Sequence, residues 1–219
     1  MSILYKLATR SRPDKMFSVI ENILSMSFTN DYMILVSMDI DDPSVANNEV
    51  NAKLKSYGSK VFPVYGFSES KIDAINRDIC FFNSWDILVN ISDDQAFTLF
   101  NFDVEIKKAF HNFDGLVHFL DKNNPAVCTL AMVSRRYYDE DGFVYHPRFK
   151  SVYADNFQQE LAKKRGAYKF VNKVIYVHNH YRWGLSEEDD LYKKNESNDM
   201  YLYDRKVRDE LRKQYGLCL

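Results

Sequence analysis

No surplus of charge, no long apolar run and no cysteine pattern marks this sequence, and each absence removes a class of protein. Lys and Arg number 29 against 31 Asp and Glu, a formal net charge of −2. Broad binding to nucleic acid or to an anionic membrane needs a positive surplus, so neither is expected. No apolar stretch approaches the ~20 residues of a membrane-spanning helix. The opening Met1-Ser-Ile-Leu-Tyr-Lys-Leu-Ala8 is too short and too quickly polar for a secretion signal. Cys80, Cys128 and Cys218 are odd in number and scattered, without CxxC spacing, which points away from disulfides and from structural zinc. A reducing, cytoplasmic setting is expected. The five prolines and seven glycines form no linker, and there is no internal repeat or low-complexity tract.

The 219 residues are the size of one domain with a substantial core. Fifteen Tyr and 16 Phe either fill that core or offer surfaces on which sugars stack. The first half alternates strand and helix. Ile3 to Ala8 reads as a strand, and Thr9-Arg-Ser-Arg-Pro13 as a loop. Pro13 and Asp14 open a helix with Met16, Ile20, Ile23 and Ser27 on one side. Tyr32 to Met38 is a second strand, running into Asp39-Ile-Asp-Asp-Pro43. Ser44 can cap the next helix, which Gly58 ends. Lys60 to Tyr65 is a third strand, Ser70 to Phe82 a helix, and Asp86 to Ile91 a fourth strand. This order predicts an α/β fold with a mostly parallel central sheet and right-handed crossovers. Beyond Gln95 the alternation loosens. The pattern there predicts a helix over 103–113, a strand over Val127–Val133, an aromatic loop from Tyr137 to Pro147 and a helix over 155–164. A strand over 173–177 and a charged helix over 199–215 complete it. The last helix carries Tyr201, Leu202, Val207 and Leu211 among charges, and can pack home or pair with a second copy.

Five clusters of polar side chains fall where such a sheet would gather a ligand. The apolar strand ending at Ile91 delivers two adjacent carboxylates, Asp93 and Asp94, to the sheet tip. A hard divalent cation completed by substrate phosphates is the usual reason for carboxylates there, and a solvated Asp-Asp turn is the alternative. Thr9, Arg10, Ser11 and Arg12 make a basic, hydroxyl-rich turn after the first strand. They could hold a base or phosphate beside the following helix N-terminus, or stand as a solvated loop. Asp39, with Asp41 and Asp42, ends the second strand, where a carboxylate can accept from a nucleobase N–H or a ribose hydroxyl. Asp42-Pro43-Ser44 equally suits a helix lead-in. Lys71 and Asn76 lie on the helix before the carboxylate strand, and Lys71 in its first turn could reach a diphosphate or face solvent. Downstream, Asp155 precedes His178-Asn-His180, whose imidazoles share one side of a strand. A magnesium- or manganese-type site usually takes one imidazole at most. A buried, hydrogen-bonded histidine is the alternative for each.

Between Ile3 and about Arg205 the chain resembles the inverting, nucleotide-sugar-dependent glycosyltransferases of the GT-A fold, of the large family 2 type. The resemblance rests on Lys71-Ile-Asp-Ala-Ile-Asn76, Asp86-Ile-Leu-Val-Asn-Ile-Ser-Asp-Asp94, Tyr145-His-Pro-Arg-Phe-Lys-Ser-Val-Tyr-Ala-Asp-Asn156 and His178-Asn-His-Tyr-Arg-Trp-Gly184, in that order. It implies a single GT-A (Rossmann-like) domain, with a nucleotide-binding half over 1–95 and an irregular acceptor and catalytic half over 96–219. It implies that Asp94 binds Mn²⁺ or Mg²⁺ at the donor diphosphate, completed by His178 or His180, and that Asp93 contacts the ribose or sugar. Asp39 would read the base beside the loop of Thr9, Arg10 and Arg12, with Lys71 and Asn76 in the same nucleotide-sugar site. Asp155 would be the general base that deprotonates the acceptor hydroxyl. The partners implied are a nucleotide-diphospho-sugar, UDP among the candidate nucleotides, and a glycan or other hydroxyl acceptor. The resemblance implies neither a nucleic-acid partner nor a transmembrane segment.

Four features bear on that reading. Phe157 stands where the family often carries an acid, which leaves a non-catalytic relative that binds nucleotide or glycan as the alternative. Gln95 replaces an apolar residue. Tyr181-Arg-Trp183 superficially matches the QxxRW motif of processive synthases, but Asn179 holds the Gln position and no membrane helix follows, so transfer of one sugar is expected. A sugar nucleotidyltransferase would share sheet and metal, yet the loop after the first strand lacks its glycines. The acceptor would be met by loops such as Tyr137 to Pro147, or be supplied with a partner protein.

Overall fold

The computed structural model describes residues 1–217, so Cys218 lies outside the described residues. The front half folds as its alternation predicts. Strands β1 (Ile3–Thr9), β2 (Tyr32–Asp39), β3 (Val61–Gly66) and β4 (Ile87–Ile91) run parallel, separated by helices α1 (Pro13–Met26), α2 (Asn48–Ser56) and α3 (Lys71–Asn76). Strands covered on both faces read as continuous apolar runs, and all five residues of β4 are buried. The chain steps outward from β1 to β3 and then returns to lay β4 on the other side of β1. That reversal is the switch point at which an open α/β sheet forms its ligand crevice.

The sheet continues past β4 through β7 (Ala131–Ser134), β6 (Leu116–Leu120) and β8 (Tyr168–Val174), with β7 the reversed strand. Helices cover both faces. Tyr5, Ile20, Phe97 and Phe102 fill one side, the last on α4 (Phe102–Phe110). Leu88, Trp85, Phe149 and Phe157 fill the other, beneath α6 (Ala154–Lys164) and α8 (Asn198–Gln214). Val207 and Leu211 of α8 are buried there, so the C-terminal helix packs home. Burying each stabilises by roughly 1.5–3 kcal/mol. No helix among the described residues is long and apolar enough to cross a membrane.

Several boundaries differ from the sequence pattern for identifiable reasons. The helix expected to reach Phe82 stops at Asn76, because Arg77 turns extended and Asp78 enters the left-handed region at φ 71°. Tertiary hydrogen bonds hold that break: Arg77 donates to the Met38 carbonyl, and Asp78 accepts from the Ser37 hydroxyl. Asn47, not Ser44, caps α2, since the Ser44 hydroxyl is bonded to Asp42. The aromatic loop is partly helical: α5 (Arg135–Asp141) buries Tyr137. β6 has no counterpart in the sequence reading. The strand expected over 173–177 is two, β8 and β9 (Tyr176–His178), and β9 pairs antiparallel with a short strand β5 (Gln95–Phe97). A short helix, α7 (Asp190–Asn195), precedes α8.

Candidate active site

The C-terminal ends of β1, β2 and β4 bring the first three polar clusters together. Ser11 takes a left-handed conformation, φ 61°, and donates its backbone N–H to Asp42 at 2.6 Å. This kink sends the two arginines of the loop apart. Arg10 donates to Asp39 at 2.8 Å and to Asp41. Arg12 donates to Asp93 at 2.9 Å and to Asp189 at 2.7 Å. Thr9 completes Asp93 with a hydroxyl bond of 3.0 Å. Burial pushes the Asp93 carboxyl pKa up against the opposing charge of Arg12. The buried Asp39 keeps Oδ1 without a hydrogen-bond partner, with Arg77 Nη2 3.6 Å away.

Gln95, which replaces an apolar residue of the resembled family, fastens the carboxylate turn. Its Oε1 accepts from Ser92 N and its Nε2 donates to the Thr129 carbonyl, both at 3.0 Å. The β5–β9 ribbon then pairs Gln95 with His178, which carries the histidine cluster to the sheet tip. His178 Nε2 lies 3.1 Å from Asp94 Oδ2, while its Nδ1 is 4.0 Å from the buried carboxylate of Asp121. One donor atom each from Asp94, His178 and His180 lies within 4.8 Å of the others. The two imidazoles are not equivalent. His180 Nε2 is taken by Glu196 at 2.8 Å, and that carboxylate also receives Arg182 at 2.8 Å. Burial raises the Asp94 pKa, but the hydrogen bond and charge of His178, with Lys71 and Tyr192, hold the carboxyl well below its usual range. Asp94 is therefore ionised at neutral pH, and its buried Oδ1 has no partner among the described residues. An ionised carboxylate with an orphaned oxygen beside an imidazole backed by a second carboxylate fits a divalent cation.

Two cavities meet at this point. The first is lined by Thr9, Arg10, Arg12, Asp39, Lys71, Asp93 and Asp94, and encloses about 140 Å³. It is not built from residues 1–95 alone, because Lys150 and side chains between Leu191 and Met200 close it. Tyr192 of α7 donates to Asp94 at 2.7 Å, and Arg12 stacks on its ring at 4.0 Å. The second cavity, about 450 Å³, is lined by Asp155, His178, His180, Arg182, Trp183 and Tyr201, among others. Lys71, Asn90, Asp94 and Glu196 line both.

Asp155 sits in the first turn of α6, and burial raises its pKa. One carboxylate oxygen accepts from the Asn156 N–H at 2.8 Å. Phe157 is fully buried against Phe149, His146 and Tyr215 and lines neither cavity. Asn76 is the expected site residue that the fold places elsewhere. Its amide bonds the Val144 and Tyr145 backbone and lines neither cavity. Of the aromatic loop, only Tyr145 reaches the second cavity, whereas Arg182 and Trp183, set aside in the sequence reading, form its wall. Asp121, Tyr192 and Glu196 lie outside every motif, and Asn90 lies inside one without a role assigned to it. Only Asn90, a polar residue inside an apolar strand, left a trace in the sequence.

No protein-family model matches the chain, and no curated protein sequence matches it. Solved structures do. The chain is similar to the mannosyltransferase PcManGT from Pyrobaculum calidifontis in complex with GDP-Man and Mn²⁺, with a TM-score of 0.68 at 12% identity. That match covers 82% of this chain and 57% of that one. S. aureus TarS 1-349 in complex with UDP-GlcNAc matches with a TM-score of 0.67 at 12% identity, covering 97% and 67%. Glucosyl-3-phosphoglycerate synthase from Mycobacterium tuberculosis, in complex with Mn²⁺, UDP and phosphoglyceric acid, matches at 0.64 and 14%, covering 100% and 80%. This chain thus spans little more than half the length of the mannosyltransferase. At these identities the likeness establishes the fold, and that fold is the GT-A glycosyltransferase fold.

Proposed function

We propose that this protein is a metal-dependent glycosyltransferase that moves one sugar from a nucleotide-diphospho-sugar to an acceptor hydroxyl with inversion. The observation that carries this reading is the common wall of the two cavities. It holds an ionised Asp94 with a free buried oxygen, between a pocket lined by Arg10, Arg12 and Asp39 and a pocket containing Asp155. Mn²⁺ or Mg²⁺ would be held by Asp94 and His178. Bound there, the ion would act as a Lewis acid that offsets charge on the leaving diphosphate. His180 has its Nε2 committed to Glu196 and serves as a neighbour rather than a ligand.

The remaining roles belong to the chain's own side chains. The free Oδ1 of Asp39 accepts from a nucleobase N–H, and Arg10 keeps that carboxylate in place. Lys71, at the cavity boundary, adds a positive charge for the diphosphate. Asp155 has a raised pKa and one oxygen unbonded among the described residues, and it takes the proton of the attacking hydroxyl. A base whose pKa approaches the working pH is the efficient one. A single base suffices for an inverting displacement, and Glu196, the other carboxylate nearby, is engaged by His180 and Arg182, each at 2.8 Å. A donor also has to displace α7. About 140 Å³ is less than the roughly 300–1,000 Å³ of small-molecule sites. Tyr192 and Asp189 occupy the polar groups a donor would use.

Thermal shift against UDP, GDP, CDP and dTDP, each with and without Mn²⁺, tests the reading. At a hundredfold excess over Kd, one nucleotide should stabilise by about 2.7 kcal/mol, or about 5–10 °C, only with the metal present. Asp94→Ala should abolish that shift. No shift with any nucleotide, or an unchanged shift in the variant, would overturn it.

A further inference from the structure

The central strand β4 reads Ile-Leu-Val-Asn-Ile, and its one polar residue, Asn90, is 3% exposed. β4 lies between β1 and β7, with neighbours on both edges. Interior strands of this kind are filled with apolar side chains. By the alternation of the strand, Asn90 shares the face of Leu88, which packs with Ile75, Trp85 and Tyr145. An apolar residue of equal volume would suit that place and add stability.

Instead, the Asn90 side chain keeps a buried amide oxygen with no hydrogen-bond partner among the described residues. Leaving a buried acceptor unpaired is costly, so such a group persists where something outside the chain satisfies it. The Asn90 amide also lies beside the Tyr145 hydroxyl, whose pKa burial raises and Asn90 draws back down.

Position decides what would satisfy it. Asn90 lines the donor-side and acceptor-side cavities alike, together with Asp94 and Lys71. On the glycosyltransferase reading above, on which this inference rests, the bond that breaks lies between the diphosphate at Asp94 and the hydroxyl held by Asp155. The transferred sugar must then occupy the common wall. We propose that Asn90 reads the transferred sugar, its side-chain oxygen accepting a hydrogen bond from a ring hydroxyl or amide N–H of that sugar. Asn90 makes no contribution to bond breaking. It sets which sugar is held and how, because a sugar lacking a donor at that position would leave the oxygen unpaired.

The experiment compares two affinities by calorimetry with Mn²⁺ present: that of the nucleoside diphosphate, and that of its sugar conjugate. The probes are UDP and GDP and a panel of UDP- and GDP-sugars, with the tightest wild-type binder carried forward. Asn90→Leu should bind the nucleoside diphosphate as wild type does, melt at an equal or higher temperature, and lose about tenfold in affinity for the sugar conjugate, the worth of one hydrogen bond. Asn90→Thr, which retains an oxygen acceptor in less volume, should keep a larger share of the preference and serves if the leucine variant does not fold. A sugar preference unchanged in both variants would overturn the proposal while leaving the glycosyltransferase reading intact. Failure of wild type to bind any nucleotide would overturn that reading, and this one with it.

Discussion

Replacing Lys6 by methionine is expected to stabilise the protein, and most strongly at low pH. Lys6 sits in the middle of β1 with none of its surface exposed. Its ammonium donates to the Ser37 hydroxyl, which donates to Asp78 at 2.6 Å, and Arg77 holds Asp78 at 2.7 Å. Burial lowers the Lys6 pKa from 10.5 to about 7, against the attraction of Asp78. The unfolded chain keeps its proton up to the ordinary lysine range, so between about pH 7 and 10.5 it binds more protons than the folded one. Wild-type stability therefore rises with pH across that window, and the penalty is full below it. At 1.36 kcal/mol per pKa unit the charge costs about 5 kcal/mol at pH 5 and about 2 kcal/mol at pH 9. Methionine removes this cost with similar volume. It strands no charge, because Asp78 retains Arg77. Urea unfolding of both proteins at pH 5, 7 and 9 measures the difference, in which the titration of every other group cancels. The advantage of the variant should shrink as pH rises. A constant difference, or a variant less stable at all three values, would show that the Ser37–Asp78 pairing fully offsets the burial of Lys6.

Asp155→Asn should leave nucleotide affinity as in wild type and lower transfer by about 10²–10⁴-fold, the value of positioned proton transfer. Loss of nucleotide binding in that variant would instead make Asp155 structural. His178→Ala should weaken Mn²⁺-dependent nucleotide binding by at least the ~10–100-fold typical of groups that only support a ligand. His180→Ala should largely keep it, and equal losses by calorimetry would show that both imidazoles bind. Asp204, buried in α8, accepts the backbone N–H groups of Lys150, Ser151 and Val152 just before α6. Asp204→Ala leaves all three without a charged acceptor, a loss of about 3 kcal/mol or more, or ~6–12 °C in Tm. A melting curve displaced by less than ~2 °C would refute that account.

The front half was legible because its signals are local. Buried parallel strands are continuous apolar runs, so Ile3, Tyr32, Val61 and Ile87 begin strands within a residue of where the pattern puts them. A carboxylate pair after such a run is visible in one short window, and so are Asp39 and the Thr9–Arg12 turn. In the back half, Leu116–Leu120 matches β4 in length and in carrying one polar residue, so its strand was as legible as β4. The α3 helix ends on hydrogen bonds to β2, which no local propensity reports.

Composition and periodicity by themselves determined the α/β class, the mostly parallel sheet, and which carboxylates reach its tip. Tertiary structure alone decided what those carboxylates meet. Asp94 and His178 are 84 positions apart, and only the register of the β5–β9 ribbon brings them within 3.1 Å. The folding of α7 onto Arg12 and Asp94 closes the first cavity. The Glu196 contact separates two histidines that look alike in sequence. Asn76 was drawn away from the site by the backbone at Val144 and Tyr145. Periodicity records which side of an element is buried. Partners many tens of residues away are chosen by packing and by the need to satisfy every buried polar group, and a short window of sequence carries no record of either.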